Sequence, residues 1–416
     1  MTSDTWVWIH LPGALKPTLC GVIRHAAGVG RFVYGKSYLG LQGAVPIDPV
    51  ALPLQEKEYA TAHLGGWFSA LLDSGPDAWG QRLIDRHVGP QDSRGYLLHA
   101  YGEPVGALTF SATATTPPQT TTATRIQSLA HTLALHARVE AGEALSSAET
   151  LQLLGQAGTG GARPKLTLED GGVMWLAKGV SIKDKADLAP VPIVEAALLS
   201  LAGELNIRST PARLETIGGS PVVLVPRFDR AAVDVGFSRW RYVSGQTLLR
   251  SEPGVAQWSF QGSYNNLARQ LSKWEASPRE DIRELYRRLA FNALVGNLDD
   301  HEKNHGLVAG ADGTFRLTPV FDLSITATAG ERQMLAMAFG KNGALITLDN
   351  LLSDCTTFGY ALGEAEAILR GHWEHLQKHA LERLVQLGCG EAVAARTVAL
   401  MPGHRVFPDM KQAASR

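Results

Sequence analysis

GNLDDHEKNHG, residues 296–306, sets two adjacent carboxylates, Asp299 and Asp300, beside a histidine, a lysine and an asparagine. Apolar runs close on both sides of it, FNALV before and GLV after. A helical pattern, SPREDIRELYRRLAFNALVGNL, delivers the chain to Asp299, and Asn304 stands five residues further on. Beyond a hairpin-like stretch, GLVAGADGTFRLTPV, comes Phe321-Asp322-Leu323. An acid, an amide at plus five and a second acid after a following strand thus form one set. Asp300 reads more plainly, as a loop or cap residue.

Protein kinases arrange the same groups in the same order, an Asp-x4-Asn loop followed by an Asp on a later strand. Phosphoryl transfer needs one carboxylate to orient the attacking hydroxyl and take its proton, and hard oxygen ligands to hold magnesium against the phosphates. Asp299 fits the first role, and Asn304 and Asp322 fit the second. Upstream, GTGGARPK supplies a glycine-rich loop whose backbone N–H groups can approach phosphate closely. Gly158, Thr159, Gly160, Gly161 and Ala162 build this loop, and Lys165 closes it. Next, LTL, the turn EDGG and VMWLAKG read as a β-hairpin with Lys178 at its far end. PIVEAALLSLAGEL follows at helical spacing, with Glu195 expected in its first turn. In a kinase the strand lysine holds the phosphates and a helix-borne glutamate pairs with it.

Each piece has a plainer reading. GTGG alone is a turn, Lys178 a solvated lysine, and Glu195 an acid favoured near a helix N-terminus by the macrodipole. Asp229, in RFDR, serves equally as a salt-bridge residue or a ligand contact. His301 and His305 are four apart in a loop-like segment with no third imidazole at fitting spacing, so they do not read as a metal pair. The tryptophans of WVWIH and SRWRY read as packing residues rather than stacking platforms. What favours a nucleotide site is the order of all these pieces along one chain.

At 416 residues, 45% of them hydrophobic, the chain is long enough for two or three packed units. Lys plus Arg, 39, nearly cancel Asp plus Glu, 40, which leaves no whole-chain footprint for nucleic acid or membrane. Three separated cysteines without CxxC spacing argue against a zinc site or a disulfide framework. No signal peptide or membrane span is legible, so a soluble cytoplasmic protein is expected. The small polar residues of SATATTPPQTTTAT, 111–124, read as a linker. The expected organisation is an α+β module over 1–110, a nucleotide-binding lobe over 125–230 and a mainly helical catalytic lobe over 231–416.

GGARPKLTL, VPRFDR, FNALVGNLDDHEKNHGL and LTPVFDL resemble the signature segments of the HipA-like serine/threonine kinases, the toxins of bacterial toxin-antitoxin pairs. FVYGKSYL, LPLQ, WFSALLDSG and GEPVGALTF are similar to that family's N-terminal subdomain. The resemblance implies an α+β, protein-kinase-like fold, ATP with Mg2+, a protein substrate, and a helix-turn-helix antitoxin that carries the DNA contact. It implies Asp299 as base, Asn304 and Asp322 as metal ligands, and Lys178 on the ATP phosphates with His301 beside them. It also implies the backbone around Pro226 to Phe228 for adenine and Asp229 for ribose. A small-molecule or lipid kinase, or a catalytically silent partner of a DNA-binding antitoxin, are the alternative readings. Two departures stand out. Pro226 occupies a place where an acid is common, and Gly158 stands where the family carries an autophosphorylated serine. Thr159 is the loop's remaining hydroxyl, so self-phosphorylation of this loop is expected there, adding about −1.5 to −2 charges where phosphates would bind. Mass spectrometry after incubation with ATP checks this: an unmodified loop in active protein contradicts it.

Overall fold

The structure, a computed structural model, describes residues 3–100, 102–118, 124–155, 165–182, 184–250, 262–274, 278–326, 330 and 333–410. It divides into two compact units, each assembled from three segments. The first takes Met1–Ile182, Pro226–Gln257 and Leu307–Phe315, and the second takes Lys183–Val225, Trp258–Gly306 and Arg316–Arg416.

In the first unit, β1 (Ser3–Ile9), β2 (Thr18–Ala26), β3 (Val29–Tyr34), β4 (Glu58–Thr61) and β5 (Leu108–Ser111) form an antiparallel sheet in the order β4-β3-β2-β1-β5. β1 lies between β2 and β5, and Val7, Trp8 and Ile9 are buried in succession, so both faces of that strand are covered. The turn from β2 to β3 is Ala27-Gly28, both at positive φ, the backbone that a two-residue hairpin requires. At Gly21 a Cβ would lie 2.4 Å from the carbonyl oxygen of Val33, so no side chain fits there. Trp8 packs in this sheet and donates its indole N–H to Ser111 at 2.8 Å.

The same unit holds β6 (Thr124–Arg125), parallel to β7 (Lys165–Asp170), which pairs antiparallel with β8 (Val173–Lys178). The expected hairpin is thus present, turning on Gly171 and Gly172 at φ +60 and +73. Helices Ala78–Val88, Leu129–Glu140 and Ser147–Leu154 share one apolar cluster of Trp79, Leu83, Ile84, Leu135, Val139, Leu153 and Leu154. Helix Ser147–Leu154 starts on a capping box, in which Ser146 and Glu149 satisfy each other's backbone N–H.

Charge is buried in this unit as well. Asp229 accepts from Arg227 and Arg230 at 2.8 and 2.7 Å, and from the backbone N–H of Gly106 at 2.7 Å. Glu103 accepts from Arg230 at 3.0 Å and Arg239 at 2.9 Å. Arg227 also donates to the carbonyls of Glu103 and Pro104. These bonds tie the chain at 103–106 to the chain at 227–239.

The second unit is mainly helical, with a hairpin of strands Arg213–Ile217 and Ser220–Pro226. Helix Val191–Glu204 buries Ile193, Val194, Ala197, Leu198 and Leu201. It begins at Val191, so Glu195 is its fifth residue and the first turn carries no acid, which corrects the expected placement. Glu195 is buried and lies past the reach of the N-terminal dipole. Helix Pro278–Val295 packs against helix Leu362–Gln386, which contributes Leu369, Trp373 and Leu376 to the core. Asp281, fully buried, accepts from Arg208 and Arg316 and from the backbone N–H of Leu317, tying the helix to the strand after the catalytic stretch. Among the described residues no helix is long and apolar enough to cross a membrane.

Burial alone would push the carboxyls of Asp229 and Glu103 up, but the surrounding guanidinium groups outweigh it and hold both below their usual values. Their contribution to stability is therefore complete at neutral pH and is lost as pH falls below about 4, through the folded-state values. Glu103→Gln removes one partner from two buried arginines and is expected to lower the unfolding free energy by about 3–5 kcal/mol. It should also flatten the acid side of the stability profile. Urea unfolding across a pH series measures both; a variant as stable as the parent, with the same acid slope, contradicts the ionic account.

Candidate active site

The turn over residues 296–306 is set by the way helix Pro278–Val295 ends. Gly296 adopts φ +79, the left-handed stop that glycine allows, and the N–H groups of Gly296 and Asn297 both return to the carbonyl of Asn292. The chain then folds on itself: the N–H of His301 bonds the carbonyl of Asp299 at 2.8 Å, and that of Asn304 bonds His301 at 2.9 Å. Asp299 is left exposed at the crest of this turn. Asn304 is buried, and its Nδ2 donates to the Asp299 carbonyl at 3.3 Å. With the amide nitrogen committed there, Oδ1 is the atom Asn304 can offer a cation.

Asp300 corrects its bland reading. It is 2% exposed, and its Oδ2 accepts from the hydroxyl of Tyr264 and from Nε2 of His305, the latter at 3.0 Å. A charge is buried here only because hydrogen bonds satisfy it. The Tyr264 and His305 rings meet edge to face at 5.3 Å. Burial and the neighbouring Asp300 carboxylate push the Tyr264 hydroxyl well above its usual value, so it stays a proton donor.

Asp322 sits at φ +60, one of four non-glycine residues in that region among the described residues. Left-handed backbone away from glycine concentrates at functional sites. Its segment is laid against the catalytic turn: Ser324 donates to Asn297 Oδ1 at 3.1 Å, the N–H of Thr326 bonds the Gly296 carbonyl, and the N–H of Leu298 bonds Thr326 Oγ1. The second unit therefore assembles Asp299, His301, Asn304 and Asp322 on two segments joined by hydrogen bonds. An amide oxygen and a carboxylate are hard donors that suit magnesium. Among the described residues no cluster of three or more His, Cys, Asp or Glu is arranged to hold a metal unaided.

Other expected residues belong to the first unit. Lys165 and Lys178 stand directly opposite across β7 and β8, and both are buried. Like charges facing across a strand pair are unfavourable unless negative charge lies between or beside them. Asp77 is one such neighbour of Lys165; burial raises its carboxyl to about 6, against the pull of that lysine. Phe228, half-buried, packs its ring 5.7 Å from that of Tyr242. Asp229 is buried with its oxygens taken by Arg227, Arg230 and Gly106, so the carboxylate expected on ribose is enclosed in the ionic cluster. Thr159, Gly160, Gly161 and Ala162 lie outside the described residues. Sequence reasoning missed Tyr264, Asn292, Asn297, His305 and Ser324. The one local signal was the doubled acid, of which a single carboxylate suffices for the proposed base.

The fold is of the kinase-like class. The chain belongs to the HipA family: the model of the HipA-like C-terminal domain matches residues 157–385, more than half the chain, and that of the HipA N-terminal domain matches residues 14–111. HipA of Shewanella oneidensis, solved as a toxin-antitoxin system complex with HipB and its operator DNA, shares the fold with a TM-score of 0.69 over 97% of each chain, at 19% identity. Y4mE of Sinorhizobium fredii, a protein whose kinase label is itself provisional, is 25% identical over 158 residues. That match spans 37% of this chain and only 37% of the relative's own length. The Helicobacter pylori proinflammatory kinase CtkA is more distant, with a TM-score of 0.42 and 11% identity over 59% of this chain. Family membership thus rests on the two HipA domain models, and the Shewanella oneidensis structure shows the shared fold.

The backbone at Asp322 yields a prediction. Asparagine tolerates left-handed φ and a β-branched residue does not. Asp322→Asn should unfold at the parent's temperature, while Asp322→Val should lose about 1–3 kcal/mol. Thermal unfolding of the two variants checks it; equal stability of Asp322→Val and the parent contradicts the strained geometry.

Proposed function

We propose that the protein is an ATP- and magnesium-dependent serine/threonine protein kinase, the growth-inhibiting toxin of a cytoplasmic toxin-antitoxin pair. The observation that carries this reading is the assembly of Asp299, Asn304 and Asp322 on two mutually hydrogen-bonded segments, with Asp299 alone of the three exposed. Bound magnesium-ATP would supply the transferable phosphoryl group and the cation that neutralises its charge. Asp299 accepts the proton of the substrate hydroxyl, which its exposure leaves reachable. Asn304, through Oδ1, and Asp322 hold the metal. Lys178 and Lys165 take the phosphates with the loop of Thr159, Gly160, Gly161 and Ala162, and His301 stands beside them. Glu195 serves to position the nucleotide-binding lysine. Phe228 and its backbone face adenine; ribose is not assigned to the enclosed Asp229 carboxylate.

The partner is a helix-turn-helix antitoxin. The chain's near-neutral charge supports a DNA contact made through that partner rather than directly. The Shewanella oneidensis protein, crystallised with HipB and operator DNA, motivates this assignment.

Incubation with labelled ATP and magnesium in whole-cell lysate tests the reading. A labelled protein, identified with its phosphate on serine or threonine, is expected. Label carried only by a small alcohol contradicts a protein kinase, and nucleotide binding without transfer contradicts an enzyme. Asp299→Asn should reduce transfer by on the order of 10² to 10⁴ while ATP binding persists. Lys178→Ala should raise the ATP concentration required, and parental turnover in either variant removes that residue from its role.

A further inference from the structure

A continuous line of hydrogen bonds runs beneath the second unit's site. His305 Nε2 donates to Asp300 Oδ2 at 3.0 Å, and the Tyr264 hydroxyl donates to the same oxygen. Asn292 Nδ2 donates to the Tyr264 hydroxyl at 3.3 Å, and Asn297 Nδ2 donates to Asn292 Oδ1 at 3.3 Å. Asn297 Oδ1 finally accepts from Ser324 at 3.1 Å. Five of the six residues are buried almost completely, and Ser324 is half-buried. Among the described residues His305 Nδ1 has no partner, and the tautomer that places the proton on Nε2 lets it donate to Asp300.

The ends of this line matter more than its middle. At one end, His305 directly follows Asn304, and Asp300 precedes Asn304 by four residues. At the other, Ser324 lies two residues beyond Asp322. These side chains help join the turn that carries Asn304 to the segment that carries Asp322, together with Thr326, whose N–H and Oγ1 both donate to the Gly296 carbonyl and whose Oγ1 accepts from the N–H of Leu298.

We propose that Asp300 is the hub of a positioning relay, His305-Asp300-Tyr264-Asn292-Asn297-Ser324, that sets the separation between the two metal-ligating side chains. The inference rests on the reading of Asn304 and Asp322 as magnesium ligands. None of the six residues touches metal or nucleotide in this role; they act through the two that do. Groups that orient metal ligands from behind change metal affinity when removed, by about 10- to 100-fold. Tyr264→Phe and Ser324→Ala each delete one link; in the first Asp300 keeps the His305 Nε2 donor, and in the second no charged group loses a partner.

The test is the magnesium concentration at half-maximal binding of a non-hydrolysable ATP analogue, measured by calorimetry, beside the magnesium dependence of transfer. Either variant should raise that concentration by on the order of 10-fold. Because both break one relay, the double variant should shift it by clearly less than the product of the single effects. A residue that is merely structural would lower the unfolding temperature and leave the magnesium requirement where it was, and that result overturns the proposal. Independent, multiplying effects of Tyr264→Phe and Ser324→Ala also overturn it. The binding assay keeps the two hypotheses apart. Absence of transfer by the parent chain defeats the kinase reading. Parental magnesium affinity in both variants of an active chain defeats the relay alone.

Discussion

The second unit depends on keeping one carboxylate of a neighbouring pair out of water. An isolated buried carboxylate is prohibitively costly, and Asp300 is tolerated because the Tyr264 hydroxyl and His305 Nε2 both donate to it. With Asp300 anchored, the tight turn leaves Asp299 exposed and places the Asn304 amide against the Asp299 carbonyl. The left-handed stop at Gly296 makes the turn possible, since the helix must end sharply for Asn297 to swing beneath it. The strained backbone at Asp322 is held in place by bonds from Ser324 and Thr326 to the same turn. Each feature requires the one before it.

Buried charge does comparable work in the first unit. Glu103 and Asp229 are enclosed by Arg227, Arg230 and Arg239, and their bonds join the segment before β5 to the segment after residue 226. Arginine suits the task because its planar fork donates to several acceptors at once: Arg230 alone reaches the carboxylates of Asp229 and Glu103 and three carbonyls. A Lys in its place would keep the charge and lose most of those bonds. Two units, each stitched together from three separated stretches, owe part of their integrity to such long-range ties.

Sequence reading succeeded where the controlling physics is local. Glycines in EDGG predicted the β7–β8 turn because two positive φ angles are needed there, and helical spacing found the helix over 278–295. The kinase-like spacing of Asp299, Asn304 and Asp322 was legible, and the structure gathers these residues in one unit. Reading failed where partners lie far away along the chain. Nothing near Asp300 announces Tyr264, 36 residues earlier, and nothing in RFDR announces Glu103, more than 120 residues earlier. Asp229 therefore read equally as a salt-bridge residue or a ligand contact, of which the structure shows the salt bridge, and Asp300 read as a loop or cap residue. Glu195 was misplaced for a smaller reason: the helix starts at Val191, ahead of Pro192, one residue before the apolar pattern was taken to begin.

The central claim is that two hard oxygens, Asn304 Oδ1 and a carboxylate of Asp322, hold the metal while Asp299 stays free for the substrate. A crystal structure of the chain with magnesium and a non-hydrolysable ATP analogue tests this most directly. The account predicts a cation at about 2.0–2.1 Å from both of those atoms, with no bond to Asp299. A bound nucleotide whose cation is held elsewhere, or is ligated by Asp299, would contradict it.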